Sequence, residues 1–469
     1  MIKPFESKPM RTYKIIGLFC SFLLACQGPQ SESPRRIPGY RGIWFTLGQF
    51  YPYGDKYSGG LGTYTAKHHP LAIYSARAQK TFFVYGGTTS ASQQHLLAMI
   101  GYYDHQKDKV PNPVVVHDKQ GVQDPHDNPS LSMDDSGHLW VFVSGRARVR
   151  PGFIYKSSNP FQINGFERID SLEFAYPQPW WIKDRGFIVL FTRYTRGREL
   201  YWITSKNRMS WSPAQKLVNG GHYQMSNQRQ GTVITAFNSH PKDGYVDGRT
   251  NLYFLKTNNL GKTWRTADNT IVKPPLESFN NAALVRDYRS ENRLVYLKDI
   301  GFDRQGKPLL LYITSNSHKP GPEGSPRQWT LAHWNGNSWL FHIITESTHN
   351  YDMGSLYVEK NGIWKIIAPT EPGPQHWGTG GEIAIWTSDD KGKTWQKKKQ
   401  ITRNSARNQT YIKRPLDAHP KFYAFWADGN PDSLSLSRLY FTDKTGKNIR
   451  ILPYEMELKL ESPKYYNIK

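Results

Sequence analysis

One texture runs from Arg41 to the end of the chain and limits what it can become. Runs such as GIWFTLG, TFFVYGG, LWVFVSG, FIVLFTRY, NLYFLKT, LLLYITS, EIAIWTS and RLYFTD are alternating or rich in aromatic and β-branched residues, and turn residues bound them. Stretches of about 4–8 residues with that make-up are strand signals. No segment of helical length carries a convincing 3.6-residue period. The Gly and Pro content, 39 and 31 residues, falls at short intervals and suits many strands joined by turns.

The strands are grouped. Seven phrases open on polar residues or proline and lead into a strand: KHHPLAIYS at 67, PHDNPSLSM at 125, AYPQPWWI at 175, GHYQMSN at 221, FNNAALV at 279, YDMGSLYV at 351 and DAHPKFYAF at 417. They divide the chain into units of roughly sixty residues, enough for four strands and their loops. The pattern predicts an all-β fold, a seven-bladed β-propeller of four-stranded blades over 41–469, with RGIWFTLG closing the ring against the last blade. A pair of sandwiches is the alternative, but it would leave the recurring phrases unexplained.

A second repeat supports the blades. Ser388, Asp390, Gly392, Thr394 and Trp395 fill the pattern Ser-x-Asp-x-Gly-x-Thr-Trp, and TNNLGKTW, ending at Trp264, is a near copy with Asn259 in place of Asp. SKNRMSW and DDSGHLW are weaker versions. The motif resembles the Asp box of sialidase-type (BNR) propellers. Its chemistry is architectural: acid and hydroxyl hold backbone amides of a hairpin turn, Gly supplies positive φ, and Trp packs between sheets.

The N-terminus addresses the compartment. A basic MIKPFESKPMRTYK, a short apolar IIGLFCSFLLAC and a polar QGPQSES have the order of a secretory signal, too short to span a bilayer. Leu23-Leu24-Ala25-Cys26 resembles a bacterial lipobox, which implies a signal peptide over 1–25, a lipid on Cys26 and a place in the cell envelope. Residues 26–40 look like a flexible tether. Cys20 leaves with the signal, so the mature chain has no pair of cysteines for an internal disulfide. The formal charge of +23 favours an anionic partner, but the basic residues are scattered and match no nucleic-acid module. Nucleic acid is therefore not the expected partner, while an acidic polymer or a membrane stays open, much of the charge can equally be a solvated basic surface, and the chain is expected to be a monomer.

In a propeller, loops leading into the inner strands crowd one end of the central channel, so chemistry should gather at the seven openings. These carry His68, His69, His126, Asp127, Asn128, Tyr176, His222, Tyr223, Asn280, Asn281, Tyr351, Asp352, Asp417 and His419, and blade edges add His105, Arg193, Arg196, Arg249 and His376. No HExxH, CxxC or GxSxG motif occurs. No cofactor is called for, and a bridging or structural divalent metal, calcium or zinc, stays open.

His105 in GYYDHQ, His126 in DPHDNPSLS, Tyr176 in FAYPQPWW and Arg193 in LFTRYTRGRE have an order and spacing similar to the propeller polysaccharide lyases that include ulvan lyases and rhamnosyl-glucuronate lyases. The resemblance implies β-elimination at a 4-linked uronic acid in a rhamnose-containing acidic polysaccharide. It also implies proton transfer by His105, His126 and Tyr176 in undivided roles, and neutralisation of the uronate carboxylate by Arg193. Arg249 falls where some members place a substrate-binding arginine, and Tyr223, Asn128 and His69 are further substrate contacts. Two other readings remain. One is a sialidase-like hydrolase, which RRIP at 35–38 and the Asp boxes resemble but which lacks an assembled arginine triad. The other is a non-catalytic glycan-binding propeller.

Overall fold

Seven antiparallel sheets absorb the strands read from sequence. The computed structural model describes residues 34–61, 67–146, 149–195, 197–240 and 247–466. The signal peptide, Cys26 and most of the tether lie outside them. The inner strands of blades 1 to 7 are Ala72–Ser75, Pro129–Met133, Ala175–Ile182, Gly221–Arg229, Leu294–Phe302, Ser355–Val358 and Asn408–Lys413. Five blades are plain four-stranded meanders. Blade 4 carries short extra strands after its third, and blade 7 gains Lys464–Tyr465 on its outer edge.

Two of the seven openings are corrected. FNNAALV ends in Leu284–Arg286, which pairs onto the third strand of blade 4 through Leu252 and Tyr253, so it is an insertion of that blade. Blade 5 instead begins at Leu294. DAHPKFYAF leads into the second strand of blade 7, Ala424–Gly429, and the inner strand is the preceding NQTYIK. A buried inner strand that is half polar carries little hydrophobic signal, because it faces other polar side chains across the channel.

Residues 34–40 do not hang free as a tether. Ile37 and Tyr40 are buried, Arg36 bridges to Val114, and the Tyr40 hydroxyl donates to the Pro111 carbonyl at 2.6 Å. The RGIWFTLG segment does stand at the ring closure. Gly42 bridges both Gly87 of blade 1 and Ser437 of blade 7. Leu460–Glu461 pairs with Val110–Pro111, so the C-terminal segment also locks onto blade 1.

The Asp boxes behave as expected. Gly392 N–H donates to Ser388 Oγ at 2.8 Å, and Asp390 accepts from the Thr394 amide at 3.0 Å and its hydroxyl at 2.7 Å. In the second box Gly261 has φ +82°, and a Cβ there would meet Trp202 Nε1 at 2.3 Å, so conformation and space both require glycine. Trp264 fills the gap between blades 3 and 4, with ring centroids 5.4 Å from Trp202. These turns follow third strands. The weaker DDSGHLW differs, since its Asp134 closes the turn between the first two strands of blade 2. Asp390→Ala removes the bonds that hold the Thr394 turn, and is expected to cost about 1–2 kcal/mol in chemical denaturation while leaving turnover unchanged.

Candidate active site

Three inner strands begin with the same irregularity. In blades 3, 4 and 7 the register shifts between Ala175 and Gln178, His222 and Met225, and Thr410 and Lys413. Inside each bulge sits a tyrosine with positive φ: Tyr176 at +53°, Tyr223 at +52° and Tyr411 at +59°. Left-handed backbone is rare for a bulky residue and clusters at functional sites, and a bulge re-aims a side chain. Tyr411 secures the N-terminal segment, its hydroxyl donating to the Ser58 carbonyl at 2.8 Å. Tyr176 and Tyr223 point into the mouth of the channel, among residues from four blades.

Tyr176 is the hub. Its ring centroid lies 5.4 Å from His68, 5.8 Å from His126, 6.0 Å from His222 and 6.2 Å from Tyr223. Its oxygen accepts from the Tyr194 hydroxyl at 3.5 Å. His222 stacks on Tyr223 at 3.6 Å and lies 5.9 Å from His240. Behind Tyr223, the Arg249 guanidinium stacks 4.0 Å from the ring and donates to the Tyr351 hydroxyl at 3.1 Å.

DPHDNPSL folds into a single 3-10 turn, Pro125–Asp127, capped by Asp124. The Asp124 carboxylate accepts from both the amide and Nδ1 of His126. This bond places the imidazole proton on Nδ1 and makes Nε2 the basic nitrogen. Arg146 donates to Asp124 at 2.7 Å and approaches His126 Nδ1 at 3.3 Å, while Arg150 reaches Asp124 at 2.7 Å. Burial would raise Asp124, but His126 and Arg146 outweigh it and hold the acid well below its ordinary range. Burial lowers His126 against the pull of Asp124, pushes His68 down to about 3, and with help from Arg198 lowers His222 well below its ordinary value. These imidazoles are neutral at neutral pH. Tyr194 is pushed up to about 12 by burial and keeps its proton.

The residues expected from sequence separate into two groups. His126, Tyr176, Tyr223 and Arg249 come together. His105 does not: it follows Leu97–Asp104, whose last residue pairs with Lys80 at the end of blade 1 away from His68. An eight-residue strand spans roughly 25 Å, which sets the separation. His105 there bonds Thr81 at 2.8 Å and stacks on His419 at 3.9 Å, in the seam between blades 1 and 7. Arg193 lies at the mouth end of its strand, but its guanidinium donates to the Glu173 carbonyl at 2.9 Å and stacks on Tyr201 at 5.3 Å. The cations beside the tyrosines are instead Arg146, faced by Tyr176 and Tyr194, and Arg198, 6.0 Å from the Tyr194 ring. His69 packs on Trp180 at 5.6 Å, and Asn128 fills the space above Gly86, so both are wall residues. Sequence reasoning missed Asp124, Arg146, Tyr194 and Arg198. Their one available signal was position, in or beside the loops at the mouth end of blades 2 and 3.

Tyr176, Tyr223, His126 and His222 are all buried at this mouth. The N-terminal segment lies across it: Phe45 meets His126 at 5.9 Å, the Tyr51 hydroxyl meets His318 at 3.4 Å, and Asp55 N–H donates to Asp432 at 2.9 Å. Next to His240, between blades 3 and 4, a cleft of about 900 Å³ is lined by Arg198, Lys216, Glu277, Phe279 and Arg289 among others. Among the described residues no three His, Cys, Asp or Glu side chains converge as a metal site would require.

The sequence matches the family described as BNR repeat-containing over residues 82–347. A curated relative from Pseudoalteromonas sp. (strain PLSV), named Ulvan Lyase-PL25, is 22% identical over 254 residues, which cover 46% of this chain and 52% of that protein. The chain thus spans about half the length of the curated relative it matches. Among solved structures, a PL25 ulvan lyase superposes with a TM-score of 0.68 at 14% identity, covering 87% of this chain and 96% of the other. A PL25 ulvan lyase bound to -[GlcA(1-4)Rha3S]- gives 0.67 at 14% identity over the same shares. The polysaccharide lyase Uly1 gives 0.59 at 10% identity, covering 88% and 99%. At these identities the likeness is one of fold.

Proposed function

The chain belongs to the BNR repeat-containing family, and from that premise we propose that it is a polysaccharide lyase acting on a 4-linked uronic acid by β-elimination. The observation that carries the proposal is the setting of Tyr176. Its ring lies 5.8 Å and 6.0 Å from the buried, neutral imidazoles of His126 and His222, its hydroxyl accepts from Tyr194, and it interacts with Arg146. The nearby carboxylates are already engaged: Asp124 by His126, Arg146 and Arg150, Asp127 by Lys119 and Arg150, and Asp247 by Lys56 and Tyr57. A glycosidase needs two carboxyl groups flanking the scissile bond, one of them a proton donor. Carboxylates held by arginine and lysine fit that role poorly.

In this reading Arg146 and Arg198 bind the uronate carboxylate and stabilise the negative charge that develops on it as C5 loses its proton. His126 Nε2, its tautomer set by Asp124, takes that proton. Tyr176 gives its own to the departing C4 oxygen, and the double bond forms between C4 and C5. A bound uronate would reach this group along the cleft between blades 3 and 4. The names of the similar proteins support a glucuronate- and rhamnose-containing polymer such as ulvan or a rhamnosyl-glucuronate glycan as the substrate.

The test is a panel of uronate polysaccharides followed by the ultraviolet absorbance of the unsaturated product. No rise on any of them would sink the proposal, and reducing sugar released without unsaturation would point to a hydrolase. Arg146→Gln is expected to lower kcat/KM by about 10–100-fold, because charge-assisted contacts are worth roughly 1.5–3 kcal/mol. The leader sequence supports export and anchoring through Cys26. Cys26→Ser is expected to move the protein from the membrane fraction to the soluble one.

A further inference from the structure

Beneath the floor formed by Tyr223 and Arg249, the channel is lined by side chains mostly of one sign. Lys67 leads into the inner strand of blade 1, Lys298 lies within that of blade 5, and Lys413 ends that of blade 7. All three are buried, at 2%, 2% and 4% exposure. Arg249 joins them at 2%. Two acids share this depth and offset part of the charge, Asp352 acting on Lys298 and Asp299 on Lys67 and Lys413, and both also have other partners. Asp299 accepts from the Leu356 amide at 2.8 Å and pairs with Arg414 at 3.5 Å. Asp352 accepts from the Ser347 hydroxyl at 2.6 Å and the Gly380 amide at 2.7 Å.

A lysine ammonium has three N–H donors and no acceptor. Among the described residues, Lys67 Nζ has one acceptor, the Leu297 carbonyl. Lys298 Nζ has the Asn350 carbonyl at 2.5 Å and the weak Met353 Sδ at 3.8 Å. Donor capacity is therefore left over where water is excluded, a costly state for a cation. Lys67, Lys298 and Arg249 line one small cavity of about 10 Å³ together with Tyr223, Tyr296, Tyr351, Leu297 and Met353. That volume takes a single water-sized particle. The cavity wall holds Lys67, Lys298 and Arg249 and no carboxylate; burial and the neighbouring cations lower both lysines, and an anion among them would hold them charged, so the occupant that suits the cavity accepts hydrogen bonds and carries negative charge.

We propose that this cavity is a halide site, holding one monatomic anion, chloride in the cell, between Lys67, Lys298 and Arg249. Carboxylate, phosphate and sulfate are too large for it, and the surrounding charge repels metal cations. The bound anion offsets the clustered positive charge and braces Arg249, and through it Tyr223, from below. The cavity lies behind Tyr223 and Arg249, which it shares with the group around Tyr176, and it does not depend on the lyase reading.

Crystals soaked in sodium bromide should show an anomalous difference peak in this cavity; density there without anomalous signal would mean water and would overturn the proposal. In parallel, the Tm of the full-length protein should rise in chloride or bromide over gluconate at equal ionic strength, by about 1–3 °C per tenfold halide beyond the Kd. Lys298→Met should abolish that dependence, and Lys67→Gln serves the same purpose if the first variant does not fold. Equal Tm in halide and gluconate, or a halide dependence that persists in the variants, would refute the site.

Discussion

Tyr176→Phe is expected to lower kcat by about 10²–10⁴-fold on an acidic polysaccharide, the range for loss of a general acid or base, with little change in KM. The substitution keeps the ring that packs among His68, His126, His222 and Tyr223, and it removes only the hydroxyl. The half-buried Tyr194 hydroxyl then loses a long contact of 3.5 Å, so a stability loss of no more than about 1 kcal/mol accompanies the change. Steady-state kinetics beside a thermal melt separate the two effects. His126→Gln should show a comparable loss of kcat, whereas His105→Phe should change kcat little, because His105 belongs to the far end of blade 1. Full turnover in Tyr176→Phe would remove the proton-transfer role. Undiminished sugar binding by a wild type without turnover would favour the glycan-binding reading.

Acidification is expected to destabilise the protein steeply between about pH 6.5 and pH 3. Burial lowers six histidines in the folded state: His68 and His105 to about 3, His117 to about 4, and His69, His222 and His349 well below the ordinary value. In the unfolded chain each titrates near 6.5. Between the folded and unfolded values the unfolded state holds more protons. The stabilisation is complete above the unfolded value and is lost as pH falls toward the folded one, at up to about 1.4 kcal/mol per pH unit for each group. Asp352, which burial raises to about 7, works in the opposite sense, as do Asp55, Asp417 and Asp428, which burial also raises, but these are four groups against six. The Asp124 contribution disappears only below the ordinary aspartate range. Urea midpoints at pH 7.5, 6 and 5 should fall progressively, and His68→Gln should flatten the slope by about one proton. A midpoint unchanged from pH 7.5 to 5 would show that these imidazoles reach water.

The propeller was legible because its signals are local. An Asp box such as Ser388 to Trp395 is a hairpin turn whose bonds span four residues, and period-2 strands bounded by turn residues announce themselves within a short window. The misplaced openings at 279 and 417 show the limit. A polar phrase before a strand marks the channel only when that strand is innermost, and the pairing of Leu284–Arg286 with Thr250–Thr257 is a non-local fact.

The site divides along the same line. His126, Tyr176, Tyr223 and Arg249 could be named from sequence, since each precedes a strand or lies at its start, and such positions meet at one end of a propeller channel. His105 and Arg193 could be named too, but their place could not. An imidazole at the end of a third strand faces the opposite end of the blade, and a guanidinium on a long side chain turns to whatever carbonyl and ring lie within reach. The amino-acid sequence by itself determined the repeat, the blade count and the mouth-end set of polar residues, because periodicity, turn chemistry and strand direction are carried by neighbouring residues. Only the tertiary structure decided which imidazoles stand around Tyr176, which arginines face it, and that lysines from three blades share one depth of the channel. Those juxtapositions depend on bulges, rotamers and ring closure that bring together residues up to hundreds of positions apart.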